Sequence, residues 1–324
     1  MSSCVSDLFG AQLCGSAVLT TVSMTLYALV LLAIVQGRRG ASGEETLRSA
    51  FFSLTLSNGA IDFVEFCRSW LTVKLRLWGF FFGHYRLLDP VLSEWSAALA
   101  SGVAFTQQLG LFFICGNRFT AIVMPVRHRF IWSRSVVLGC LLVQWLIPAL
   151  LMPLALPERR DYYRLPNSSY VGVYELRTAG ALAPRVAFSA LFLIGLSVAV
   201  MYLVIFAKLM TRRIKNGPAW SHGAAGGPTQ GVETRLALCA LASVGCFWLY
   251  MGTPLVVALL GRGPQTFQRV LLFQQDVFVC HNPYALLASS SVLRRRCRAL
   301  LPLPQQQATT SAAAVQRLSA PKRT

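Results

Sequence analysis

Apolar residues along this chain gather in long blocks separated by shorter polar stretches. Seven blocks are long enough to cross a bilayer as helices, which takes about 20 residues. They cover residues 13–36, 49–71, 96–123, 135–156, 187–210, 236–261 and 270–290. The pattern predicts an all-α fold, a seven-transmembrane helix bundle. A six-span count competes with it, because the second and seventh blocks carry internal charge. The connections are short except at 72–90, 157–180 and 211–234, the last being a Gly- and Ala-rich linker. The expected organisation is an extracellular N-terminus at 1–12, a membrane domain at 13–301 and a disordered cytoplasmic tail at 302–324.

Composition supports this reading. The chain has 324 residues, 55% of them hydrophobic and 13% charged, where soluble domains carry about 25% charged residues. The net charge of +18 raises the question of nucleic acid. The basic residues sit in short loops between apolar blocks, so the lipid bilayer is the expected partner and nucleic acid is not. With the N-terminus outside, the inner side collects most Lys and Arg, and the C-terminus is inside. Lys74 and Arg76 then fall in an outer loop. The first block has no basic residue before it and is too long for a signal-peptide core, so it reads as a first span. The sequon Asn167-Ser168-Ser169 falls in a predicted outer loop and is a glycosylation candidate.

Polar residues inside the blocks carry the candidate chemistry. Asn58, Asp62 and Glu65 are spaced i, i+4, i+7 and share one helical face, which should point into a bundle or a water-filled cavity. Arg68 lies three residues after Glu65 and is placed to pair with it. In the third block, Gln107 and Arg118 stand on one face about 16 Å apart. Gln107 fits an interhelical hydrogen bond as well as a ligand contact. In the seventh block, Asp276, Cys280 and Tyr284 form another polar face, near Gln274, Gln275, His281 and Asn282, and Pro283 breaks the backbone ladder. Leu293, Cys297, Leu300 and Leu301 share a face flanked by arginines. That suits either a short helix on the inner membrane surface, with Cys297 an acylation candidate, or a plain basic flank.

No catalytic constellation emerges, and no H-E-x-x-H, G-x-S-x-G or phosphate loop is present. Nine cysteines include no C-x-x-C pair, so no metal or other cofactor is expected. An enzyme is therefore not the expected class. A transporter or channel is the competing class, using Asp62, Glu65 and Asp276 as an ion path.

The stretch Asn117-Arg118-Phe119-Thr120-Ala121-Ile122-Val123-Met124-Pro125-Val126-Arg127-His128, closing on Ile131-Trp132, resembles the third-span exit of nematode serpentine chemoreceptors. The Srg group is the nearest, in its class gamma and class V families. Asn282-Pro283-Tyr284-Ala285-Leu286-Leu287, followed by Val292 and Arg294, resembles the same group at the end of the seventh span. Rhodopsin-like receptors usually carry an acidic residue where Asn117 stands and a tyrosine where Leu286 stands. They also link the third span to the second outer loop by a disulfide, but here residues 157–180 contain no cysteine. The resemblance is thus to a divergent G-protein-coupled receptor.

It implies a chemosensory receptor in the plasma membrane of sensory cells, binding a small external ligand and signalling to a heterotrimeric G protein. Gln107, Gln108, Tyr250, Gln274, Gln275 and Asp276 are the pocket candidates. Asn117, Arg118, Trp248, Asn282, Pro283 and Tyr284 are the candidates for switching and G-protein coupling.

Overall fold

A computed structural model describes residues 2–39, 45–75, 82–152, 161–164, 170–173, 182–215, 245, 248–249, 252 and 264–301. Helix α1 (Ser2–Arg39) is followed by a 3-10 turn (Glu45–Arg48) and by α2 (Ala50–Ser69). A π-helical turn, Trp70–Lys74, continues α2, and the Leu75 N–H donates to the Trp70 carbonyl. The third span lies in α3 (Phe82–Val123), the fourth in α5 (Arg134–Leu151) after the short α4 (Pro125–Ile131). A hairpin follows, β1 (Asp161–Arg164) paired antiparallel with β2 (Tyr170–Val173). The fifth span lies in α6 (Leu182–Lys215), the seventh in α7 (Pro264–Ser289), and α8 (Ser291–Leu300) closes the described chain.

Local sequence sets several boundaries. Pro125 occupies the first turn of α4, where its missing N–H costs nothing. Ser133 caps α5 by accepting from the Val136 N–H, and Ser290 caps α8 by accepting from the Leu293 N–H. The segment at 1–12 is helical from Ser2 onward. Two expectations need correction. The long connection at 72–90 is mostly helix, because the π turn lengthens α2 and α3 starts at Phe82. The loop at 157–180 contains strands. Asn167, the tail after 301 and most of the sixth span lie outside the described residues.

Burial runs opposite to that of a soluble protein. Asp62 and Gln144 are fully buried, while Leu138, Leu142, Leu146 and Leu150 form an exposed stripe along α5, each more than half accessible. Such a continuous apolar face belongs against lipid. Among the described residues, Cys14–Arg39, Ala98–Val123 and Ser189–Thr211 are long and apolar enough to cross a membrane. The pair α4–α5, bent by 69°, is a fourth if it counts as one broken span. Helices α2 and α7 fall short because their interior faces are polar.

Helix α3 is the hub, packing against α2, α5 and α6. One apolar core joins α1, α2, α7 and α8 through Tyr27, Val30, Ile34, Phe52, Val279 and Leu293. A second joins α3 to α6 through Cys115, Ile122, Val198, Tyr202 and Ile205. Two glycines permit the closest approaches. A Cβ at Gly59 would stand 2.7 Å from a Leu31 methyl of α1. At Gly110 it would collide with the Asn58 and Gln144 side chains. Small residues at such crossings let helices pack by direct contact, since lipid supplies no hydrophobic drive between them.

Candidate functional site

A buried polar seam joins the second and seventh spans. At its middle, the Asp62 carboxylate accepts from Gln107 Nε2 of α3 at 2.7 Å, Asn282 Nδ2 of α7 at 2.8 Å and the Tyr27 hydroxyl of α1 at 3.1 Å. Asn58 Nδ2 reaches the same carboxylate at 3.5 Å. Four helices therefore converge on one fully buried acid. One turn further along α2, Glu65 holds Arg68 through two bonds of 2.5 and 2.8 Å and accepts from Gln275 of α7. At the far end Lys74 Nζ lies 2.7 Å from Asp276 Oδ1, and Ser16 of α1 donates to the other carboxylate oxygen. The Lys74 ammonium also stands 5.2 Å from the Trp70 ring centre, a cation–π distance.

The π turn explains why Lys74 belongs to the seam. Twelve residues of regular helix after Asp62 would leave Lys74 about 120° off the Asp62 face. A turn closed by i→i+5 bonds holds one more residue and takes back about 100° of that rotation. The expectation of Lys74 as an outer-loop residue is thus corrected: it is 2% exposed.

The pocket candidates fare unevenly. Gln107 makes the interhelical bond, and Gln275 and Asp276 are held inside the seam. Gln274 Nε2 donates to the Leu249 carbonyl at 3.1 Å. Gln108 is buried, with Oε1 lacking a protein donor among the described residues. Tyr250 lies outside the described residues. Gln107, Gln274, Gln275 and Asp276 each tie one helix to another.

The opposite end of the bundle is organised around Arg118. Its guanidinium carbon stands 3.5 Å from the centre of the Phe51 ring of α2, so an aromatic face meets the charge where Asn117 offers no carboxylate. Asn117 itself is 3% exposed. One turn on, the Thr120 hydroxyl accepts from Trp132 Nε1 at 2.7 Å and lies 3.0 Å from His128 Nδ1. This contact folds α4 back onto α3. Burial and the Arg118 charge both hold the His128 pKa below its usual value. Lys208 of α6 donates to the Val123 carbonyl at 2.8 Å, satisfying the C-terminus of α3.

The remaining switch candidates lie apart from Arg118. Pro283 is fully buried and Tyr284 meets Ser23 of α1 at 3.1 Å. Trp248 packs edge-on against Phe192 of α6, with ring centres 5.4 Å apart. Arg294 donates to the Leu287 and Ala288 carbonyls at 2.6 and 2.9 Å, capping α7. Cys297 is 6% exposed and packs in the α1–α2–α7–α8 core. The sequence reading missed Tyr27, Phe51, Lys74 and Gln144. Only Lys74 gave a signal, as a charge just past an apolar block. Among the described residues no group of His, Cys, Asp and Glu forms a metal site.

The sequence profile described as Serpentine type 7TM GPCR chemoreceptor Srv matches residues 17–302. Serpentine receptor class V-1 of Caenorhabditis elegans is 26% identical over 213 residues, 62% of this chain. The matched stretch spans 64% of that relative, less than two thirds of its length. Of the two classes the sequence resembles, class V is the one matched. With the match running from within α1 through α8, the chain belongs to the serpentine seven-transmembrane chemoreceptor family Srv, a family of multi-pass membrane receptors.

Proposed function

We propose that this chain is a chemosensory G-protein-coupled receptor of the plasma membrane, with the N-terminus outside and the Arg118 end inside. A small external ligand binds between the spans at the end carrying Lys74 and Asp276. Binding shifts the bundle between two packings, and the Arg118 end passes that shift to a heterotrimeric G protein.

One observation carries this reading: a buried ion pair, Lys74–Asp276, joins α2 to α7 at the end remote from Arg118. A buried pair is weak evidence for stability. It is a strong lever for a ligand whose own charge or dipole competes for either partner. The seam then links that end to the Asp62 hub, and from there α3 runs three turns to Arg118. The contact of Arg118 with the Phe51 ring is one that a sliding helix breaks. The transporter reading has less support, because Asp62, Glu65 and Asp276 are each occupied by protein donors.

The test is a cell line displaying the full chain, challenged with a broad panel of small odorant and water-soluble molecules. A ligand-evoked G-protein response that Arg118→Ala abolishes at unchanged surface expression is the expected result. Responses identical in wild type and Arg118→Ala would remove Arg118 from the coupling role.

A further inference from the structure

A groove on the Arg118 end of the bundle, between α2 and α5, is not used by the polar seam or by the Arg118 contacts. Its volume is about 790 Å³. One end is basic: Arg38 from the end of α1, Arg48 from the 3-10 turn and Arg134 from the start of α5 line it. Among the described residues, no Asp or Glu lines it. The other end is apolar, walled by Leu56 of α2 and by Leu138, Leu141 and Trp145 of α5.

Two further features favour an anion at the basic end. Helices α2 and α5 both begin there, at Ala50 and Arg134, so two positive helix ends converge with the arginines. The Ser49 side chain makes no cap bond to α2, so it does not compete for the first-turn N–H groups of that helix. Arg38 Nη2 donates to Ser53 Oγ at 3.1 Å, which holds its guanidinium over the groove.

The apolar end is built as well. Trp145 Nε1 donates to Ser57 Oγ at 2.8 Å, and Ser57 donates to Gln144 Oε1 at 3.0 Å. The indole is thereby fixed by its polar edge, while 40% of the residue remains exposed. From Arg134 to Trp145 is eleven residues, about 16 Å along the helix. That is the depth of one leaflet, half of a hydrocarbon core of about 30 Å. A charged headgroup at one end and an acyl chain along the rest match this length and polarity.

We propose that this groove binds one anionic phospholipid of the leaflet at the Arg118 end. The headgroup phosphate sits among Arg38, Arg48 and Arg134, and an acyl chain lies on Leu56, Leu138, Leu141 and Trp145. The bound lipid bridges the start of α2 to the start of α5, next to the turn that Trp132 pins to Thr120.

The test reconstitutes the full chain in nanodiscs of equal phosphatidylserine and phosphatidylcholine and counts retained lipids by native mass spectrometry. Wild type is expected to retain one phosphatidylserine preferentially. The double variant Arg38→Gln/Arg134→Gln should lose that preference by roughly 30-fold, given the usual contribution of a basic residue near an anionic surface. Arg127→Gln/Arg129→Gln, on α4 outside the groove lining, should keep it. Raising salt on the wild type alone should weaken retention, a readout that needs no variant to fold. Equal retention of phosphatidylcholine would overturn the proposal. So would full competition by inorganic phosphate, which would mark a phosphate site without a lipid role, or loss of the preference in both double variants alike. Both leaflets carry the anionic lipid, so the result does not depend on which end of the receptor faces the cell interior.

Discussion

Removing one member of the Lys74–Asp276 pair should be far more damaging than removing both. The side chains are 3% and 6% exposed and their charges stand 2.7 Å apart. At an effective dielectric of about 20 their attraction is about 6 kcal/mol, and each ion has given up several kcal/mol of hydration. Lys74→Met leaves a buried carboxylate facing, among the described residues, the Ser16 hydroxyl, and should cost about 3–5 kcal/mol. Asp276→Leu leaves a buried ammonium and should cost about the same. The double variant replaces the pair by apolar groups and should fall within about 1 kcal/mol of wild type. The assay is unfolding of purified receptor by SDS titration in mixed micelles, read by circular dichroism. A coupling of at least about 3 kcal/mol is the expected outcome. Single and double effects that add to within about 0.5 kcal/mol would mean that the two charges do not depend on each other.

Four other outcomes follow from the packing. Gly110→Ala drives a methyl into the Asn58 and Gln144 side chains and should cost about 1–3 kcal/mol by the same titration. Gly139→Ala, whose Cβ meets nothing within 4 Å, should cost almost nothing. Asp62→Asn turns one acceptor oxygen of the hub into a donor facing other donors and should cost about 1–3 kcal/mol; an unchanged midpoint would mean that the four converging donors do not depend on the carboxylate. The His128 pKa is depressed in the folded chain. Its contribution is therefore present above the unfolded value and lost as pH falls through the depressed one. The thermal midpoint should drop more between about pH 7.5 and pH 5 in wild type than in His128→Gln.

What the sequence revealed and what it hid have physical causes. The stripe Asn58, Asp62, Glu65 was readable because regular α-helical spacing puts those residues on one face, and Arg68 fell in pairing reach for the same reason. Asp276 stood out as an acid in an apolar block, but its partner did not. Lys74 reaches it only through a π turn, and no composition signal marks that insertion. Gln107 was ambiguous between ligand and helix contact because a glutamine on an interior face fits both; the Asp62 bond at 2.7 Å places it between helices. Phe51 was unreadable as a partner for Arg118, since an aromatic residue in an apolar block gives no sign that a cation lies over it. Cys297 looked like a lipid attachment point on an amphipathic face. That face turns toward α1, because Leu293 and Cys297 complete the core around Val30 and Ile34.

The proposed coupling between an external ligand and a G protein runs through this bundle. It is tested most directly by nucleotide exchange on purified heterotrimeric G proteins, with the full-length receptor reconstituted in lipid and an active compound added from the ligand panel. Exchange should rise with ligand for at least one G-protein class, and Arg118→Ala should remove the rise. No exchange with any class, in proteoliposomes that instead pass ions in a manner abolished by Asp62→Asn, would contradict that coupling.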